Sequence, residues 1–149
     1  MNRFLLALYV SASARHGQSG DEAAERIAWK SAISNAEAEI TGALLYTGSH
    51  FAQVLEGAPQ AVEALLAKLR DDPAHIGLKI LRCEPTGHRR FDGWSMAFPG
   101  STAFLSSYVE RLYLFPTRSE DVERLLSMMQ LIIADGAAGT ARAPLGLSS

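Results

Sequence analysis

Seven consecutive apolar residues, Phe4 to Val10, stand near the start of the chain and end at Ser11-Ala12-Ser13. The run is too short to span a bilayer and has the length of a strand, so the chain begins with a buried strand that later elements must cover. A polar stretch, Arg15 to Gly20, follows. Ser19 with Glu22 three residues on forms a capping-box pattern, and the Ala-, Glu- and Lys-rich segment to about Ala38 is read as the first helix. Ile40–Thr47 and Phe51–Leu55, separated by Gly48-Ser49, predict a hairpin. Pro59 suits a first helical turn, and Val62, Leu65, Leu66 and Leu69 recur at helical spacing until Asp71-Asp72-Pro73, which predicts the second helix. Leu78–Cys83 and Trp94–Phe98 read as two more strands. The order β-α-β-β-α-β-β predicts an α+β, ferredoxin-like sheet with both helices on one face, because right-handed crossovers place them there.

Beyond Pro99-Gly100 the pattern turns helical. Phe104, Leu105, Tyr108, Val109 and Leu112 form one apolar stripe; Ser119 can cap a second helix bearing Val122, Leu125, Leu126, Met129, Ile132 and Ile133. These C-terminal helices are expected to cover the other face of the sheet. The expected division is a sensor-sized domain over 1–99, a helical cap or interface over 100–135, and a small-residue, Gly- and Ala-rich flexible tail over 136–149.

Composition removes several functions. Fourteen Lys plus Arg against sixteen Asp plus Glu leave a net charge of -2, no field for holding a polyanion. Nucleic acid is not an expected partner. A single cysteine, Cys83, and four scattered histidines give no metal cage, and no metal is expected. No phosphate loop, nucleophile elbow or paired carboxylate is recognisable, so the chain does not read as an enzyme. The N-terminus lacks a leader pattern, and the chain reads as cytoplasmic with no membrane contact. Trp29, His75 and Met128-Met129 read as packing or surface residues, and Arg89-Arg90 as a solvated turn.

Strand parity gathers unusual groups. Tyr9 shares a face with Ala7 and Leu5, Gln53 with Phe51 and Leu55, and Trp94, Met96 and Phe98 share a face of the last predicted strand. Should all three faces meet the helices, a phenol and a primary amide converge in an apolar space, where each can satisfy the other. Taken alone, this reads as a Tyr–Gln pair locking the core. Ile27, Ser31, Ser34 and Asn35 line one side of the first helix, and Leu65, Lys68, Leu69 and Asp72 one side of the second. An apolar slot with a few polar groups is the composition of a site for a planar, partly polar cofactor; solvated helix edges would give the same spacing.

Ile40-Thr41-Gly42-Ala43-Leu44, Phe51-Ala52-Gln53-Val54-Leu55-Glu56-Gly57, Asp72-Pro73-Ala74-His75 and Trp94-Ser95-Met96, in this order after an N-terminal Tyr-x-Ser, resemble a BLUF domain, the blue-light sensor using flavin, of the short single-domain type. The resemblance covers residues 3 to about 98. It implies that Tyr9 gives an electron and a proton to the photoexcited flavin and that Gln53 bridges Tyr9 to the ring. It further implies that Asn35 bonds the carbonyl edge, that Ile27 and Leu69 sandwich the ring, and that Lys68 and Asp72 lie near the ring and its side chain. Trp94 and Met96 match the signal-relay pair, and Ser11 a supporting hydroxyl. Ser34, Lys68 and Glu39 depart from the family, standing where Asn or His, Arg, and Gly are common. A Lys offers a point charge in place of a planar fork, so cofactor tightness and recovery rate are the properties these departures bear on.

What the resemblance implies is a photoreceptor that binds FAD, with FMN or riboflavin left open. Its light signal is a changed Gln53 hydrogen-bond pattern, because an amide can exchange its donor and acceptor ends without moving the backbone. With only about fifty residues after Pro99, the signal is expected to leave through an unidentified downstream protein or through a homodimer formed by the apolar stripe of Val122 to Ile133. The competing readings are a non-photoactive ferredoxin-like ligand-binding or protein-interaction module, and RNA binding through an open sheet face.

Overall fold

The computed structural model describes residues 3–15, 17–98 and 102–134, with no side-chain description for 17–19. The expected tail over 136–149 lies outside them. Four strands and four helices run in the order β1 (Phe4–Ser13), α1 (Gly17–Glu37), β2 (Thr41–Tyr46), β3 (His50–Gly57), α2 (Pro59–Arg70), β4 (His75–Thr86), α3 (Ala103–Leu114) and α4 (Ser119–Ala134). The sheet order is β2-β3-β1-β4, antiparallel at every junction, which is the ferredoxin-like order the two crossovers dictate. Tyr9 faces Gln53 across the β1–β3 pairing, so the two polar groups singled out by parity are cross-strand neighbours.

Both faces of the sheet are covered. Ala7, Tyr9, Leu44, Phe51 and Leu55 pack beneath α1 and α2, while Leu6, Leu8, Val10, Val54 and Ala52 pack against α3 and α4. This explains the unbroken apolar run of β1: a central strand with both faces buried has no polar side to show. It also removes the open sheet face that RNA recognition would need. The apolar stripe of α4 is largely used up in this way, with Val122, Leu125, Leu126 and Met129 buried, and Leu131 is left 64% exposed.

Local departures from the sequence reading have identifiable causes. Helix α1 begins at Gly17, so Ser19 lies within its first turn and does not cap it. In α4, Ser119 is already helical; its hydroxyl and carbonyl accept from Arg82, at 3.1 and 2.9 Å. β4 is longer than predicted because β1 pairs with it over nearly its whole length, across two irregularities. The last predicted strand is not one: residues 94–97 run parallel to β2 at the sheet edge through a single bridge, Ala43 to Ala97. Gly42 N donates to Trp94 O and Gly42 O accepts from Ala97 N, so its two partners are three residues apart, whereas a regular parallel ladder sets them two apart. One extra residue therefore interrupts the alternation, much as a bulge does. Trp94 turns to the α3/α4 layer, whereas Met96 and Phe98 stay with α1 and α2. The expectation that Trp94 and Met96 share a face is corrected by this insertion.

Gly42 is required here by space. A β-carbon on it would lie 1.9 Å from Val54 O. Gly42→Ala should force β2 from β3 and lower stability by about 2–3 kcal/mol in urea unfolding, the cost of overpacking a filled core.

Helix α4 is also held by charge. Glu123 Oε1 accepts from Arg90 Nη2 at 2.7 Å and from Arg82 Nη1 at 2.8 Å. These bonds hold its carboxyl at a pKa of about 2, below the ordinary 4.5. A depressed carboxylate adds stability that is complete above its unfolded value and is lost as pH falls through its folded one. Glu123→Gln should therefore cost roughly 0.5–1 kcal/mol at neutral pH, the range for a solvent-screened pair. The difference between variant and parent should shrink as unfolding is measured from pH 4.5 down towards 2.

Candidate functional site

Helix α1 packs on β2 and α2 on β1, β3 and β4, which leaves a crevice between them above the junction of β1 and β3. Tyr9 and Gln53 lie on the sheet face beneath these helices. Both are buried; the Tyr9 hydroxyl donates to Gln53 Oε1, and Gln53 Nε2 donates to Met96 Sδ at 3.6 Å. Burial raises the Tyr9 phenol far above its ordinary range, and the nearby Asp72 carboxylate adds to the push. Tyr9 is thus neutral, a hydroxyl that here donates to the Gln53 oxygen and could equally accept from its amide nitrogen.

Asn35, buried on α1, donates from Nδ2 to Ser95 O at 2.9 Å, catching the carbonyl next to Met96. Ser11 Oγ and His75 Nδ1 share a hydrogen bond of 2.9 Å, and the His75 ring stands edge-on to Tyr9 with centroids 5.6 Å apart. Burial lowers the His75 pKa, only partly offset by Asp72, so the ring is neutral. Ile27 and Leu69 lie half-buried against the same apolar cluster, one from each helix. Asp72 Oδ1 accepts from Ala74 N at 2.9 Å and turns the chain from α2 into β4.

Between α1 and the turn that follows α2 is a cleft of about 270 Å³, lined by Ile27, Phe51 and Asp72 and rimmed by Arg15, Arg26 and Lys30; Phe51 shares the sheet face of Tyr9 and Gln53, which are themselves buried beneath it. Sites that enclose small organic ligands begin near ~300 Å³. The cleft thus combines an apolar wall with a cationic mouth. Among the described residues two buried side-chain polar atoms have no protein partner, His75 Nε2 and Ser95 Oγ. A ring with polar edges fits this donor set: the orphaned atoms need partners that the apolar walls do not supply.

The structure therefore brings together Tyr9, Gln53, Asn35, Met96, Ser11, Ile27, Leu69 and Asp72. Three predicted residues stand apart. Ser34 and Lys68 are exposed on the outer sides of α1 and α2, because α1 turns Asn35 inward and α2 turns Leu66 and Leu69 inward. Trp94 lies in the opposite layer. Sequence reasoning missed His75, read as packing; its place four residues after Asp71 at the start of β4 gave no sign that Ser11 would meet it. It also missed the basic rim, for which Arg26 and Lys30 at helical spacing were an available signal. The Arg89-Arg90 pair, read as solvated, is engaged: Arg89 donates to Thr41 Oγ1, Glu56 O and Glu39 O, and Arg90 to Glu123 and Gln130.

Comparison with known proteins agrees with this geometry. The family model for BLUF, described as sensors of blue-light using FAD, matches residues 5–97. The chain belongs to the BLUF family of flavin-binding blue-light sensors. It is similar to the blue light- and temperature-regulated antirepressor BluF of Escherichia coli (strain K12), 39% identical over 57 residues, 38% of this chain and 14% of the relative. It is also similar to photoactivated adenylate cyclase subunit beta of Euglena longa, 33% identical over 91 residues, 61% of this chain and 10% of the relative. The chain thus spans only a small part of these curated relatives. Among solved structures, BlrB, a BLUF protein in its dark state, superposes with a TM-score of 0.73 at 31% identity, covering 88% of this chain and 98% of that one. The BlsA photo-activated state shares the fold, with a TM-score of 0.74 at 20% identity over 86% and 95% of the two chains. The unit that this chain shares with the family is a sensor. No described helix is long and apolar enough to cross a membrane.

Proposed function

We propose that this chain is a cytoplasmic, non-catalytic photosensor that holds FAD in the α1/α2 crevice and reports light by reversing the Gln53 amide. The observation that carries this reading is the buried chain Tyr9 O–H to Gln53 Oε1 and Gln53 Nε2 to Met96 Sδ. Bound flavin supplies the blue-light absorption and the redox chemistry. Tyr9, Asn35 and Gln53 orient it, Ile27 and Leu69 flank it, and His75 Nε2 and Ser95 Oγ offer it hydrogen bonds. The cationic rim of Arg15, Arg26 and Lys30 favours a flavin that carries phosphate, FAD or FMN, over riboflavin.

The protein's part is the position of one proton and the direction of one amide. In the present pattern Tyr9 donates and Gln53 accepts. If the amide turns end for end, Nε2 faces the Tyr9 oxygen, which can accept, and Oε1 faces Met96 Sδ, which has no proton to give. The bond to Met96 is then lost while the Tyr9 bond survives with its direction reversed. The segment 94–97 loses one of its ties to the sheet.

On this reading residues 1–99 form the sensor and 100–135 a helical output layer. The signal passes from it to a downstream protein or a second copy. BluF is an antirepressor and the Euglena longa relative an adenylate cyclase subunit, which supports an output made by another domain or protein.

Two substitutions test the switch. The protein loaded with FAD should show a small red shift of its flavin band under blue light that reverses in darkness. Tyr9→Phe should bind flavin and abolish the shift; a normal photocycle in this variant would reject the mechanism. Gln53→Leu should likewise keep the yellow colour and lose the shift in difference spectroscopy.

A further inference from the structure

Glu56 is a carboxylate with no exposed surface, on the face of β3 that carries Ala52 and Val54 towards α3 and α4. A lone buried charge costs several kcal/mol unless donors surround it. Here three do. Oε1 accepts from Thr41 Oγ1 at 3.0 Å and from Phe91 N at 2.6 Å, and Oε2 accepts from Arg90 N at 2.9 Å. Arg89 completes the cage: its guanidinium donates to Thr41 Oγ1 and to Glu56 O, at 2.9 and 3.0 Å, so Thr41 bridges cation to anion.

The two backbone donors belong to the stretch that carries the chain from β4, at one sheet edge, to the 94–97 segment beside β2, at the other. Glu56 therefore fixes the point from which Trp94 and Met96 are launched, and Trp94 N donates to Phe91 O at 3.0 Å directly after the clamp. The same loop is tied outward to α4. Arg90 Nη2 reaches Glu123 Oε1 at 2.7 Å and Arg90 Nη1 reaches Gln130 Oε1 at 3.2 Å. One short loop is thus bonded on one side to the strand that carries Gln53 and on the other to two turns of α4.

We propose that Glu56 and Arg90 are positioning residues that couple the Gln53 switch to α4: Glu56 pins the loop to β3, and Arg90 transmits any shift of that loop to Glu123 and Gln130. The inference rests on the switch proposed above. It assigns the transmission to a polar clamp distinct from the crevice, since neither residue touches the Tyr9–Gln53–Met96 chain. Glu56→Gln keeps the volume but replaces one acceptor oxygen with an NH₂ group facing a backbone N–H, which breaks one arm of the clamp.

The test uses the full chain loaded with FAD. Flavin difference spectra report the switch, and hydrogen exchange of residues 119–134 in darkness and under blue light reports α4. The parent protein should show both a red shift and a light-dependent change in α4 exchange. Glu56→Gln should keep the red shift and reduce the light-minus-dark exchange ratio in α4 by about fivefold or more, the lower end of measured coupling between sites. A full α4 response in this variant overturns the proposal, and so does loss of the red shift, which would place the effect of Glu56 in the crevice. Should Glu56→Gln fail to fold, Arg90→Ala leaves the backbone clamp intact and cuts the Arg90 side-chain ties to Glu123 and Gln130; it should give the same split, and an undiminished α4 response overturns the proposal. A parent protein with a red shift and a silent α4 also overturns it, whereas a parent with no red shift fails the switch reading itself.

Discussion

A phenol and a primary amide are buried on the same face of one sheet, and each is the other's partner. Without Gln53 the Tyr9 hydroxyl would be an orphan in an apolar layer, and the reverse holds for Gln53 Oε1; either loss costs about 1–3 kcal/mol. The rest of the site follows from this pair. β1 and β3 must be neighbours to bring them opposite, which the ferredoxin-like strand order does. The helices must stand apart above them, which the separate seats of α1 and α2 achieve. Burial of Tyr9 keeps it protonated, and a protonated hydroxyl can pair with either end of the amide.

A sheet buried on both faces isolates its two sides, so a signal from the α1/α2 crevice needs a route around or through the sheet. The segment 94–97 provides one at the edge. Because one extra residue interrupts its alternation, Met96 touches the crevice layer and Trp94 the α3/α4 layer within three positions. A regular strand would have placed both on one side. The irregularity that defeats a period-two reading is therefore what lets a single short segment contact both layers, and sites where local rules fail are often sites of function.

Most of the layered architecture was legible in the sequence, because it rests on apolar periodicity: the run Phe4–Val10, the helical spacing of Val62 to Leu69 and the stripe of α4 each predict the element observed. Tyr9 and Gln53 were legible too, since parity and burial require a buried polar pair to meet. What was hidden depends on register and on contacts between distant segments. The phase slip at 94–97 arises from hydrogen bonds to Gly42, fifty residues away. Arg89 and Arg90 look like a solvated turn until Glu56 is seen facing inward. A warning was nonetheless present, for a Glu following Ala52 and Val54 in alternation sits at a core position and must find donors. Ser34 and Lys68 are exposed for a simpler reason: neighbouring residues on a helix point about 100° apart, and Asn35 and Leu69 take the inward positions.

The size of the switch constrains what can respond to it. Reversing Gln53 exchanges the direction of one hydrogen bond to Tyr9 and removes a weak N–H to sulfur contact at 3.6 Å, a difference on the order of 1–2 kcal/mol. Such a difference moves a two-state equilibrium by roughly tenfold and cannot unfold a well-packed helix. The responding element must already lie near balance. The polar ties of α4 to Arg90 have that character: they are partly exposed, screened and individually small, whereas Val122, Leu125 and Met129 of α4 and Phe91 of the loop are buried together in one core. The loop is thus held by Glu56 on the sheet side and by Phe91 on the helix side, and the exposed Arg90 ties are the part of its attachment that a small shift alters first. On the proposed coupling, those polar ties are what a small change at one amide alters, while the apolar packing of Phe91 against α4 keeps the fold intact.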